Sequence, residues 1–198
     1  MTTAGEQSRD APPADASLPQ RQLAELRAQL KQRNERIAAY ETQIRRNEDL
    51  LAQVFEFAHS LLRCASRGDT LTTAASRLKA IFEIDDVVLL LDERLADSPP
   101  PDAVTRPCPQ SPEFDALARR GRSQCRRFKP APHRAIFGER ALDVRSCAVI
   151  PLGPGAAQGF IALGSTAADR FMPDMGTYFL DRLGALVSAK LQQTDEAG

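Results

Sequence analysis

From Leu23 to Leu61 the sequence returns to one face of a helix at alternating spacings of three and four residues. The positions are Leu23, Leu26, Leu30, Arg33, Ile37, Tyr40, Ile44, Asn47, Leu51, Val54, Ala58 and Leu61, and ten of these twelve are apolar. A repeat averaging three and a half residues keeps one seam facing a partner helix as two helices wind around each other. No glycine or proline interrupts it. The pattern predicts a parallel coiled-coil homodimer with Leu23, Leu26, Leu30, Ile37, Tyr40, Ile44, Asn47 and Leu51 at the interface. Isoleucine at a positions favours two strands, and Arg36 at g would attract Glu41 at the following e. Asn47, at d, is either a device that fixes register or a tolerated polar residue near the end of the coil. Arg33 can keep its stem in the seam and its head in water.

From Leu50 the stripe widens to include Leu50, Phe55, Phe57 and Leu62. A two-stranded coil cannot bury so broad a face, but a globular domain can. One helix is therefore expected to pass from coil into domain over residues 20–63, its stretch from Leu23 to Leu61 running roughly 60 Å at 1.5 Å per residue.

The rest divides accordingly. Residues 1–19, with three prolines and little that could pack, read as a disordered tail. Residues 64–193 read as one domain and 194–198 as a disordered end. Of the 198 residues 42% are hydrophobic, enough for a core. No apolar run opens the chain as a secretory signal would, and the aliphatic run Val87–Leu91 is far too short to span a bilayer. A cytoplasmic location, no membrane contact and reduced thiols at Cys64, Cys108, Cys125 and Cys147 are expected. None of these cysteines forms a C-x-x-C pair, so a zinc site is not expected.

Within the domain, Gly68 is expected to end the long helix. Asp69 or Thr70 would cap a second helix bearing Leu71, Ala74, Ala75, Leu78, Ile81 and Phe82. "DDVVLLLD" reads as a buried strand and the proline-rich residues 97–112 as a loop. "SPEFDALARRG" reads as a helix with Ser111 as cap, Pro112 in the first turn and Gly121 beyond the end. Residues 125–128 suggest a strand, and "RSCAVIPLG" and "QGFIALGS" two more.

In the stretch "GSTAADRFMPDMGTYFLDRL" carboxylates, arginines and an aromatic crowd together. It reads as the joint between a strand and a last helix, residues 173–191. Phe171 would plug the core, Pro173 and Asp174 would suit the first turn, and Met175, Phe179, Leu183, Leu186 and Val187 would be buried. Gly176 and Gly184 would admit another helix.

No phosphate-binding loop, dinucleotide fingerprint, zinc-protease motif or nucleophile elbow is present. Asp85 and Asp86 adjoin at the mouth of a strand and point to opposite faces, a poor arrangement for paired acid–base work, so they read as a turn with exposed charges. The chain therefore reads as no enzyme and needs no cofactor. Charge is unevenly placed under a net charge of zero. Residues 119–145 carry nine cationic side chains against Glu139 and Asp143, and residues 83–102 carry seven carboxylates against Arg94. The two segments are solvated or face each other, or the basic one receives an anionic molecule or acidic partner. Nucleic acid is the least favoured partner, because aromatic residues for stacking are scarce there. Candidate contacts are Arg126, Arg127, Phe128 and His133, the last in a loop. His59, on the long helix near the wide stripe, reads as a packing or boundary residue.

Four pieces together resemble the DUF484 family, bacterial proteins of unknown function with a GAF-like domain. They are "SLPQRQLAELR", "RRNEDLLAQVFEFAHSLL", "RSCAVIPLG" and "GFIALGSTAADRFMPDMGTYFLDRLGALVSAKL". The likeness spans residues 17–191, and at Arg126 it departs from an expected glycine. It implies an α+β, GAF-like fold: a central antiparallel sheet with helices on one side and a loop-covered face on the other. No cysteine is followed by histidine, as in many bilin-attaching GAF domains. The combined expectation is a non-enzymatic binding or sensing module on a dimeric coil, its ligand held between the sheet and residues 92–140. Binding would bias the packing of residues 50–63. The alternative is a scaffold that holds a protein or nucleic-acid partner through the coil and the basic segment.

Overall fold

The computed structural model describes residues 18–92, 104–173 and 176–196. The chain divides into two units, Met1–Asp49 and Leu50–Gly198.

The first unit is built from helix α1, Leu18–Leu62, up to Asp49. Its sequence is rich in Leu, Ala, Arg, Gln and Glu, all good helix formers. Pro19 lies in the first turn, where a missing N–H costs nothing. The helix thus already includes Leu18 and Pro19, which the expected tail contained; the remainder of the tail lies outside the described residues.

In the second unit the end of α1 buries Phe57 and Leu61 completely or nearly so. Leu51, Phe55 and Leu62 stay 55–72% exposed. The domain therefore takes one side of the widened stripe and not the whole of it. Helix α2, Arg67–Ile81, is capped by Ser66, whose Oγ accepts from the Asp69 N–H. Gly68 consequently lies inside α2 rather than ending α1, and neither Asp69 nor Thr70 is the cap. A serine in extended geometry one residue before the helix out-competes them.

Five strands follow: β1 Asp86–Leu91, β2 Val104–Pro107, β3 Gln124–Arg126, β4 Ser146–Leu152 and β5 Gly159–Ser165. They form one sheet in the order β2-β1-β5-β4-β3. All pairs are antiparallel except β1 with β2, which run parallel. β2 lies in the stretch expected to be a loop. Its Pro107 falls at the end of an edge strand, where a missing donor is tolerated. At Gly159 (φ +105°) a Cβ would collide with the Leu90 carbonyl oxygen, so only glycine can start β5 there.

The strands read as continuous apolar runs because both faces are covered. One face, with Leu89, Leu91, Ala148, Ile150, Ile161 and Leu163, packs against α1, α2 and the last helix. The other, with Val88, Leu90, Cys147, Val149, Phe160 and Ala162, packs against α3, Pro112–Arg120, and α4, Pro130–Phe137. That second face is thus covered by helices where the resemblance implied loops. Gly121 (φ +59°) ends α3 in left-handed geometry as expected, while Ser111 makes no side-chain capping bond.

The last helix, α5, runs Tyr178–Glu196. It starts five residues later than expected, so Pro173 belongs to the preceding turn, and it continues through residues 194–196. Asp174 and Met175 lie outside the described residues. Phe171 is buried as expected, and Arg170 donates from Nη2 to the Phe82 carbonyl, fastening the joint to the end of α2. Gly184 faces Cγ2 of Ile150 and the Pro151 carbonyl, so it admits a strand, not another helix.

Candidate functional site

The 3-10 turn Gly138–Leu142 joins α4 to β4 and forms one wall of a cavity of about 700 Å3. The floor is β4, with Ser146 and Cys147, and the remaining wall is the end of β3 with Arg126, Arg127 and Phe128. Arg134 and Arg145 complete a set of four arginines facing one carboxylate, Glu139. The structure thus brings together Arg126, Arg127, Phe128 and His133, which are dispersed over eight residues of sequence. The lining is displaced along the chain from the 92–140 stretch expected. It begins at Arg126 and extends to Cys147.

The His133 segment is helical, not a loop. Pro130 and Pro132 sit in the first turn of α4, where proline is tolerated, and Gly138 ends it. His133 Nε2 lies 3.0 Å from the Ala141 carbonyl and 3.2 Å from that of Val144. Two acceptors on one ring nitrogen assign the proton to Nε2, which donates to both. His133 therefore braces the wall; its ring also packs 5.0 Å from that of Phe137.

Phe128 is similarly engaged. Its ring stacks on Phe114 at 5.6 Å, and the Arg126 guanidinium lies 4.8 Å from its centroid. Ser146 Oγ donates to the Ala167 carbonyl at 2.6 Å and accepts from the Phe171 N–H. Cys147 donates from Sγ to the Arg126 carbonyl. Burial pushes the Cys147 thiol up to about 12, so it is protonated near neutrality and a poor nucleophile.

Asp85 and Asp86 have separate partners. Asp85 accepts from Ser165 Oγ at 2.7 Å and from the Thr166 N–H at 2.8 Å, and these bonds hold its carboxyl below the usual value. Asp86 Oδ2 receives Arg140 Nη2 at 3.0 Å and Nε at 3.1 Å, which ties the 3-10 turn to the start of β1. This pair joins the acidic segment to the basic one; residues 93–103 of the acidic segment lie outside the described residues. The sequence left open that the two segments face each other, and this pair is a place where they do, although nothing in the sequence singles out these two residues as partners.

The expected coil residues Leu23, Leu26, Leu30, Ile37, Tyr40, Ile44 and Leu51 are 47–68% exposed in the single chain. Asn47 is exposed too, and its Oδ1 accepts from Gln43 Nε2 at 3.3 Å. His59 is exposed on α1, which fits the boundary reading and not the packing one. Cys64, Cys108, Cys125 and Cys147 are free thiols. Among the described residues no three His, Cys, Asp or Glu side chains converge as a metal site would require, and no helix is long and apolar enough to cross a membrane.

A five-stranded sheet in this order, with helices over both faces and a pocket above one, defines a GAF-like α+β domain. The chain is similar to the chromophore-binding domain of an unusual bacteriophytochrome from R. palustris, with a TM-score of 0.51 and 13% identity over 76% of this chain. It spans 64% of the length of that chain. The profile of DUF484, proteins of unknown function, matches residues 10–194, and the chain belongs to that family. No curated protein matches the sequence.

Proposed function

We propose that this chain is a non-enzymatic binding or sensing module, working as a homodimer in the cytoplasm, whose ligand occupies the cavity between β3, β4, α4 and the 3-10 turn. The observation that carries this reading is the cavity itself. It is of ligand size, and its wall is braced by His133 and by the Arg140–Asp86 tie. The R. palustris neighbour is a chromophore-binding domain, which supports a small-molecule role by analogy of fold alone. The thiol chemistry of Cys147 favours non-covalent retention.

The sheet lies between the cavity and the face packed by α1. On β4, Cys147 faces one side while Ala148 and Ile150 face the other. A signal from ligand to residues 50–63 would pass through β4, by a shift of its register or tilt. The exposed seam on α1 supports pairing of two chains through Leu23, Leu26, Leu30, Ile37, Tyr40, Ile44, Asn47 and Leu51. The scaffold reading rests on that same seam together with the exposed arginines.

Hydrogen exchange tests the reading. Small-molecule extract from the expressing cells, added to the full chain, should slow exchange in residues 126–147 and change it in residues 50–63. Unchanged exchange in 126–147 contradicts the binding role. A change confined to 126–147 contradicts the coupling.

A further inference from the structure

We infer that the cavity takes a small organic anion with an apolar body, its carboxylate or phosphate headgroup held by the arginines and its aliphatic part lying against Phe128, Leu142 and Val144. This rests on the reading that residues 126–147 bind a ligand, and it names the chemical class.

The lining selects by what it offers and by what it has already committed. Arginine stays charged at any physiological pH and presents a planar fork suited to carboxylate or phosphate. Arg126, Arg127, Arg134 and Arg145 face a single carboxylate, so a cationic ligand is disfavoured. Ser146 spends its hydroxyl inside the protein, the Cys147 thiol donates to the Arg126 carbonyl, and His133 Nε2 is taken by two backbone carbonyls. No asparagine, glutamine or aspartate lines the cavity, so a sugar would find few partners for its hydroxyls. A nucleobase would need an aromatic face, and the Phe128 ring is already engaged by Phe114 and Arg126. What is left for recognition is positive charge and apolar surface.

Leu142 points to the apolar half of the ligand. It is 94% exposed at the cavity rim, on a tight turn, with almost nothing of its own chain to cover it. Val144, in the same lining, is buried. An aliphatic ligand part laid from Val144 to Leu142 would remove that leucine from water, while its headgroup reached the exposed Arg127 and Arg145.

The test uses methyl-labelled full chain and probes matched in length: decanoate, decyl phosphate, decyltrimethylammonium and decanol, with acetate and inorganic phosphate as headgroups alone. NMR follows the methyl groups of Ala141, Leu142 and Val144. The expected result is saturation at one site per chain by decanoate or decyl phosphate, about tenfold or more tighter than by the cation or the alcohol. The tighter of the two anions identifies the headgroup. Acetate and inorganic phosphate should leave these methyl groups unmoved. In an Arg127→Gln/Arg145→Gln variant the anions should weaken about tenfold or more while decanol is unchanged. Equal binding of cation, alcohol and anion at these methyl groups would overturn the anion assignment and leave the pocket reading standing. Saturation by acetate or phosphate alone would overturn the apolar body. No movement of these methyl groups with any probe would overturn both.

Discussion

The guanidinium carbon of Arg126 stands 4.8 Å from the centre of the Phe128 ring, and that ring is stacked in turn on Phe114. The exposed edge of the cavity is thus built from the core outward. Phe114 is 2% exposed and also packs edge-on against Phe160 of β5. Phe114→Ala should destabilise the domain by about 3–5 kcal/mol, through lost burial and a cavity that cannot fully collapse. Phe128→Leu, at a half-buried position, should cost about 1 kcal/mol. Urea denaturation of both variants checks the order, and an equal cost for the two would contradict the layered arrangement.

Gly184 reports how closely α5 lies on the sheet. A Cβ there would come 2.5 Å from Cγ2 of Ile150 and 3.1 Å from the Pro151 carbonyl oxygen. Alanine in a helix interior is ordinarily better than glycine by about 1 kcal/mol. Here overpacking should win, and Gly184→Ala should destabilise by about 1–3 kcal/mol. Adding Ile150→Val, which trims the facing side chain, should recover part of that loss. A stabilised Gly184→Ala variant would show that α5 lies further from β4 than the structure places it.

Asp85 links β1 to the end of β5 through Ser165 and Thr166, and these bonds lower its carboxyl below the ordinary value of 3.8. A group whose pKa falls on folding stabilises the fold above its unfolded pKa and loses that contribution as pH drops through the folded one. The wild type should therefore lose stability on acidification below about pH 4. Asp85→Asn should be less stable at neutral pH by about 1–2 kcal/mol, the worth of hydrogen bonds to a charged acceptor. Its stability should also change less with pH in that acid window. Denaturation midpoints measured at a series of pH values check both.

The four cysteines give a chemical test of packing. Burial, reinforced by Asp92 and Asp115, pushes the Cys108 thiol up to about 11, and burial pushes Cys147 up to about 12 and raises Cys125 as well. Cys64 is buried. Because the thiolate is the reactive form, the native protein at pH 8 should react slowly with a thiol reagent, and all four should react at once in denaturant. A rapidly labelled cysteine in the native protein, identified by peptide mass, would show which part of the core opens.

Residues whose role is set locally were the legible ones. The apolar runs of β1, β4 and β5 declared themselves because both faces are buried, and Pro112 with Gly121 bracketed α3. Competing local signals misled elsewhere. Asp69 and Thr70 looked like caps, but Ser66 holds the cap geometry. Pro173 looked like a helix start, but the chain first turns to seat Phe171 and to carry Arg170 to the Phe82 carbonyl. α4 carries the same proline-first, glycine-last signature as α3, in "PAPHRAIFG", and could have been read by it. β2 could not, since four residues on a sheet edge owe their conformation to pairing with β1. The grouping of Arg126, Arg127, Phe128 and His133 at one cavity was foreshadowed by charge. The contribution of residues 141–147 depended on the 3-10 turn, which no periodicity announces.

Native mass spectrometry of the freshly purified full chain, compared with its denatured mass, bears on the whole proposal at once. The prediction is a dimer carrying one non-covalent organic anion per chain. The Arg127→Gln/Arg145→Gln variant should remain a dimer but lose the added mass, and Ile37→Asp should yield monomers. A wild-type chain that is monomeric and carries no added mass would contradict both the coil and the pocket.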